Sequence, residues 1–272
     1  MKKIADLHTH STASDGQYMP SELVQMAKAA GIQVLALTDH DTLNGLDEAA
    51  GAGEKLGLTV LRGVELGAKE HKNLHLLGYG FSKSAPHLSK LCEAMLKSRN
   101  ERKYRIIDFL KEKGVELSLD EVEELAGGAV IARPHFAQVM VKHGYVTTTR
   151  EAFDRYLDTD EYQRIERFKA PAQDCIAAIR ADGGHVSLAH PYQVGMSDDA
   201  MEHLVRQLKD DGLEAMECFY PRHTSEQTSF YLELAKRYDL HVTGGSDFHG
   251  ERVKPDITLK QWKLDLDWLL ES

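Results

Sequence analysis

Seven short apolar runs recur along the chain, and a segment of helical period follows most of them. The runs are KIADLH (3–8), VLALTDH (34–40), LTVLRGVE (58–65), NLHLLGY (73–79), HVSLAH (185–190), LEAMECF (213–219) and HVTGGSD (241–247). The helical patterns are PSELVQMAKAAG (20–31), LNGLDEAAGAGEKLG (43–57), PAQDCIAAIRADGG (171–184), DDAMEHLVRQLKDDG (198–212) and SEQTSFYLELAKRYD (225–239). Several begin after Ser, Asp or Pro or end in glycine, which are helix start and stop signals. Strands joined through helices run parallel, because only a crossover of that length returns the chain to the same end of a sheet. The alternation therefore implies an α/β fold with a mostly parallel sheet, a barrel related to the eight-fold type.

Between about residues 85 and 168 the alternation stops and the pattern is helical throughout. It comprises LSKLCEAMLKSRNERKYRIIDFLKEKG (88–114), SLDEVEELAG (118–127), PHFAQVMVKHG (134–144) and REAFDRYLD (150–158). A discontinuous barrel, 1–87 with 169–272, carrying a helical insertion at 88–168, fits this better than two independent domains.

The strand-like runs share a second property: polar metal-binding residue types collect at their ends. In ADLHTHSTASDG, His8 and His10 are two apart, so on a strand they share a face, and the turn at Gly16 brings Asp15 within reach. Asp39-His40-Asp41 follows the second run, Glu65 ends the third, His75 lies in the fourth, His190 ends the fifth, and Asp247-Phe248-His249 repeats the spacing of two. One such histidine alone reads as an ordinary core or surface residue. Together they mark the C-terminal strand ends, where barrel folds assemble side chains from distant parts of the chain. His8, His10, Asp15, His40, Glu65, His75, His190, Asp247 and His249 exceed the needs of one tetrahedral ion, so two or three cations with bridging ligands are required. Nitrogen and oxygen donors without thiolate suit manganese, zinc or iron; magnesium, which prefers mainly oxygen, is a further alternative.

The 272 residues suffice for a large core, and 28% charged with 42% hydrophobic residues is a globular balance. A net charge of −10 argues against a long nucleic-acid partner. Cys92, Cys175 and Cys218 form no paired motif and read as buried thiols in a reducing compartment. MKKIADLHTH has no apolar signal core and no run reaches a membrane span, so a cytoplasmic location is expected, with no membrane and no obligate protein partner. No G-x-S-x-G elbow or phosphate loop is present.

DLHTHSTASDG, LTDHDT, GVE, HLLGY, AHP and GSDFHG, in this order, resemble the motifs of the PHP (polymerase and histidinol phosphatase) family of metal-dependent phosphoesterases. The resemblance implies a distorted (β/α)7 TIM-like barrel with a three-metal centre. It implies that His8, His10, Glu65 and Asp247 hold one ion, Asp15, His40 and His249 a second, and Glu65, His75 and His190 a third. Some branches carry histidine where this chain has Asp15, a departure that favours manganese or iron over zinc. A metal-activated hydroxide would then serve as nucleophile, with no catalytic side chain beyond assistance from His249 and Asp15.

In the insertion, SRNERKYR places Arg99 and Arg102 on one helix face beside Asn100 and Lys103, and ARPH sets Arg133 and His135 at a helix start. Guanidinium forks and helix N-termini both suit phosphate, although on charge pattern alone a solvated helix face and a simple cap read equally well. RPH, the arginine-rich insertion and ECFYPRHT resemble the branch of 3′,5′-nucleoside bisphosphate phosphatases and short-RNA 5′→3′ exoribonucleases. That resemblance implies hydrolysis of the 3′-phosphate of a 3′,5′-bisphosphonucleotide, such as pAp to AMP. Arg99, Asn100, Arg102, Lys103, Arg133 and His135 would recognise the other phosphate, and His223 would either lie near the substrate or cap the helix near Ser225. Exonuclease action on short 5′-phosphorylated RNA is the alternative, followed by a histidinol-phosphate or sugar-phosphate phosphatase. A polymerase-associated module and a non-catalytic metal or phosphate sensor rank lower.

Overall fold

The computed structural model describes residues 2–126, 131, 133–165 and 168–270. The chain forms two compact units, Met1–Glu93 with Lys169–Ser272, and Ala94–Phe168.

In the first unit all seven apolar runs form strands: β1 (Lys3–Thr9), β2 (Val34–Leu37), β3 (Thr59–Gly67), β4 (His75–Tyr79), β5 (His185–Leu188), β6 (Ala215–Phe219) and β7 (His241–Gly244). An eighth, β8 (Trp262–Leu264), completes a sheet of order β7-β6-β5-β4-β3-β2-β1-β8. Three residues are too few to show a period, so β8 leaves no mark in the sequence. The expected parallel order holds for β1-β2-β3 and β5-β6-β7. It fails at β4, antiparallel to both neighbours, and at β8, antiparallel to β1. Residues 68–74 between β3 and β4 are too few for a crossover helix, so the chain turns straight back.

The end of β1 and the segment after β7 meet at one point. The His10 N–H donates to Phe248 O at 2.9 Å, and the Asp247 N–H donates to His8 O at 2.8 Å. These two bonds join the end of β1 to the segment after β7, so the barrel nearly closes and the first and last sequence motifs lie side by side. Along β1, Ala5 and Leu7 enter an apolar cluster with Val34, Ala36, Leu77 and Tyr79, while Asp6, His8 and His10 take the alternate positions.

The helices start and stop as their sequences dictate. Thr224 and Gln227 cap Ser225–Arg237 reciprocally, Ser197 caps Asp198–Asp211, and Gly212 ends that helix at a φ of 114°. Asp182 accepts the N–H groups of His87 and Leu88 and so fixes the start of Pro86–Glu112.

The second unit packs Leu119–Ala126, Arg133–Lys142 and two short helices around Leu110, Phe136, Met140 and Tyr162. The helix expected at 150–158 is Thr149–Ala152 continued by a π-helical turn, Phe153–Leu157. Gly127 and Ala132, in the expected segments 118–127 and ARPH, lie outside the described residues.

Gly245 tests how tightly the closure is packed. A Cβ there would press on His8 Cβ and approach Glu217 Oε1 to 2.6 Å. Gly245→Ala should therefore cost about 1–3 kcal/mol, the usual penalty of overpacking, read as a lower urea midpoint. An unchanged midpoint would show that this closure is loose.

Candidate metal centre

Eight side chains from β1, β4 and the segments after β1, β2, β5 and β7 converge around Glu65 on β3. Its Oε2 lies 3.2 Å from His8 Nε2, 3.2 Å from His10 Nε2 and 3.0 Å from His40 Nδ1. Its Oε1 lies 2.6 Å from His75 Nδ1 and 2.9 Å from His190 Nε2. Asp247 Oδ1 is 3.2 Å from His10 Nε2, 3.4 Å from His249 Nδ1 and 3.6 Å from His8 Nε2. Asp15 Oδ1 is 3.3 Å from His249 Nε2, and its two oxygens each lie 3.9 Å from an imidazole, of His10 and of His40.

Among the described residues, three overlapping sets have donor atoms close enough to share a cation: His8, His10, Glu65 and Asp247; His10, Asp15, His40 and His249; and His40, Glu65 and His75. The first is the expected set. His10 joins the second, and in the third His40 replaces His190, whose Nε2 still faces Glu65.

The chemistry of the donors asks for cations. His8 Nε2, both ring nitrogens of His10 and Glu65 Oε2 are buried without a hydrogen-bond partner. Leaving such atoms unsatisfied costs about 1–3 kcal/mol each, whereas ligation would satisfy them together. Burial pushes Glu65 up, but the imidazoles of His40, His8 and His75 outweigh it and hold the carboxyl well below its ordinary range. Asp247 is held down in the same way by His8, His10 and Lys254. Burial lowers His10 and His75 to about 4, which keeps their lone pairs free to ligate. His8 and His40 behave oppositely: burial lowers them, but neighbouring carboxylates raise His8 well above its ordinary value and His40 to about 9. The carboxylates that would share a cation with these two imidazoles thus favour their protonated forms, which ligation would have to displace.

Several supporting residues lie outside the nine candidate ligands; of these, Asp39 stands in the strand-end motif Asp39-His40-Asp41, whereas Tyr220, Lys254 and Glu217 carry no metal-ligand signal in the sequence. Asp39 accepts the Ser11 N–H at 2.8 Å and the hydroxyls of Ser11 at 2.7 Å and Ser14 at 2.5 Å, which fastens the turn that presents Asp15. Tyr220 and Lys254 donate to Asp247 Oδ2 at 2.9 and 2.6 Å, leaving Oδ1 toward the histidines. Glu217, buried on β6, lies 3.1 Å from His8 Nδ1. Its even spacing from Ala215 was visible in LEAMECF, but it sits inside a strand rather than at its end.

His223 does not cap the helix near Ser225; Thr224 does. Its Nδ1 donates to Cys218 O at 3.0 Å, and its ring packs among Tyr192, Tyr220 and Tyr231.

Within the helical unit, Arg102 donates to Ile165 O at 2.7 Å and stacks 5.3 Å over the Tyr162 ring. Arg133 pairs with Asp158 at 2.5 Å, and Lys103 with Glu123 at 2.7 Å. Asn100 is exposed, and Arg99 and His135 are half-buried. The Tyr162 hydroxyl is buried without a partner; burial raises its pKa, and the charges of Arg102 and Arg133 pull it back.

Residues 6–165 match the family model described as PHP domain. Over 253 residues the chain is 36% identical to a 5′-3′ exoribonuclease of Haemophilus influenzae, covering 92% of this chain and 91% of that one. It is 34% identical to a phosphoribosyl 1,2-cyclic phosphate 1,2-diphosphodiesterase of Eggerthella lenta, covering 91% and 95%. It is 30% identical to a 3′,5′-nucleoside bisphosphate phosphatase of Chromobacterium violaceum, covering 90% and 86%. Among solved structures, an amidohydrolase from Chromobacterium violaceum with bound sulfate and no metal superposes with a TM-score of 0.78, at 29% identity over 96% of this chain and 92% of that one.

If the cluster takes cations, Mn²⁺ at a hundred times its dissociation constant should stabilise the fold by about 2.7 kcal/mol, read as a higher urea midpoint. Binding at pH 7 should also release protons, since His8 and His40 are raised in the metal-free protein and must be neutral to ligate. Affinity should therefore rise between pH 7 and 9. Calorimetry in buffers of different protonation enthalpy measures that release, and zero release would refute this account of the two histidines.

Proposed function

The chain belongs to the PHP domain family of metal-dependent phosphoesterases, and from that premise we propose that it hydrolyses the 3′-phosphate of 3′,5′-bisphosphonucleotides, such as pAp to AMP. The observation that carries the reading is the buried cluster of imidazoles around Glu65, with ring nitrogens and a carboxylate oxygen unpartnered. We assign one ion to His8, His10, Glu65 and Asp247, a second to Asp15, His40 and His249 with His10 nearby, and a third to Glu65, His75 and His190 with His40 adjoining. Nitrogen and oxygen donors favour manganese. Bound divalent ions would polarise a phosphoryl oxygen and lower the pKa of water at the scissile phosphorus.

The protein's own groups supply the rest. Asp247 is gripped on Oδ2, so its other oxygen stays aimed at His8, His10 and His249. Asp15 is 42% exposed and 3.3 Å from His249 Nε2, so the second ion's position lies on the solvent side of the cluster. No serine or cysteine attack is invoked; all three thiols are buried, and burial pushes each of them well above the ordinary thiol range.

The substrate class rests on what the relatives' names have in common. Nucleoside bisphosphate, ribonucleic acid and phosphoribosyl cyclic phosphate are all phosphoesters of ribose. Arg102 and Arg133, whose charges reach the unpartnered Tyr162 hydroxyl, support recognition of a second phosphate by the helical unit, with Arg99, Asn100, Lys103 and His135 assisting. The identity to a 5′-3′ exoribonuclease supports a second reading, removal of a nucleotide from short 5′-phosphorylated RNA. Buried free thiols, and the lack among the described residues of a helix long and apolar enough to cross a membrane, support action in the cytoplasm.

Manganese-loaded protein should turn over pAp faster than 3′-AMP, 5′-AMP or a phosphoribosyl 1,2-cyclic phosphate. A preference for short 5′-phosphorylated RNA would select the second reading, and a preference for the cyclic phosphate would overturn both. Arg102→Ala should raise KM for pAp about 10–100-fold, the worth of a charge-assisted hydrogen bond, while altering 3′-AMP turnover far less. Equal losses on both substrates would remove Arg102 from phosphate recognition.

A further inference from the structure

Glu217 makes contacts that a strand residue needs neither for pairing nor for packing. Its side chain is 1% exposed and lies on β6, the one strand of the seven expected that neither carries a candidate ligand nor is followed by one. Oε1 accepts from His8 Nδ1 at 3.1 Å, with Oε2 at 3.4 Å, and Oε2 also accepts the backbone N–H of His190 at 2.6 Å. One carboxylate thus holds two of the histidines that face Glu65, reaching one through its ring and the other through its main chain.

Each hold has a chemical consequence. A neutral imidazole carries one N–H, so donation from Nδ1 fixes the tautomer and leaves the Nε2 lone pair toward Glu65 and Asp247. His190 stands at φ 21° and ψ 63°, a strained conformation for a non-glycine residue, and the bond to Glu217 pins the amide that would otherwise relax. Gly245 keeps the approach clear, because a Cβ there would meet both His8 and Glu217.

We propose that Glu217 is a positioning residue of the metal centre, setting the His8 tautomer and the His190 backbone so that both Nε2 atoms face Glu65. This rests on the metal-dependent reading above. Carboxylates behind metal-bound histidines typically carry 10–100-fold in metal affinity. In Glu217→Gln the amide offers one oxygen and one NH₂, so one of the two donors meets another donor.

The test is the Mn²⁺ dissociation constant of metal-depleted protein, measured by calorimetry, together with the visible spectrum after Co²⁺ loading. E217Q should bind Mn²⁺ about 10–100-fold more weakly and shift the Co²⁺ bands, and Glu217→Asp, which keeps the charge, should recover part of the affinity. Leu208→Ala, a truncation of a buried leucine on Asp198–Asp211, should lose stability yet bind Mn²⁺ as the unaltered protein does. Wild-type affinity and spectrum in E217Q would overturn the proposal, as would an equal loss of affinity in L208A. Should E217Q not fold, E217D decides: weakened binding supports the role and unchanged binding refutes it. Failure of the functional reading looks different, since the unaltered protein would then bind no cation or turn over no phosphoester.

Discussion

A fully buried carboxylate surrounded by five imidazoles is the constraint on which the rest of the structure depends. Glu65 cannot be desolvated alone, because an isolated ion in a protein interior costs several kcal/mol and would take up a proton instead. Its neighbours come from residues 8, 10, 40, 75 and 190, so satisfying this one group requires β1, β3, β4 and the segments after β2 and β5 to end at the same place. The barrel supplies that convergence, and the two backbone bonds between β1 and the segment after β7 add Asp247 and His249.

The cost of the arrangement is visible in the backbone. Asp41, His190 and Asp247 all have positive φ without being glycine, and each stands just after a strand that points into the cluster. Asp tolerates this region better than most residues, and strain of this kind persists only where surrounding contacts over-determine it. Those contacts are present: Asp41 accepts the Gly67 N–H at 3.2 Å, the His190 N–H reaches Glu217, and Asp247 is held by Tyr220, Lys254 and the His8 carbonyl.

Much of this was legible in the chain because strand ends and ligand types coincide. All seven strands followed from apolar runs, and the nine donors from the polar residues at or inside them. What escaped was set by partners rather than by local pattern. β8 exists because β1 offers an unpaired edge, which a three-residue segment fills without a period of its own. The reversal of β4 depended on loop length rather than composition. Glu217 and Lys254 look like any strand glutamate and loop lysine until the fold brings them to His8 and Asp247.

The relatives' names differ in the bond broken, a monoester, a diester in RNA or a cyclic ester, yet cations held by the cluster would need only a phosphoryl oxygen and a water to act on. Discrimination among such substrates must therefore come from groups that read the remainder of the molecule. In the helical unit, Arg102 is held by the Ile165 carbonyl and by stacking on Tyr162, while Arg133 is tied to Leu157 O and Asp158. Guanidiniums held in this way lose little freedom on meeting an anion, which is what selective recognition of a second phosphate requires. Under the function proposed above, chemistry and selectivity would occupy separate stretches of one chain, and the second could change while the nine clustered side chains of the first stayed in place.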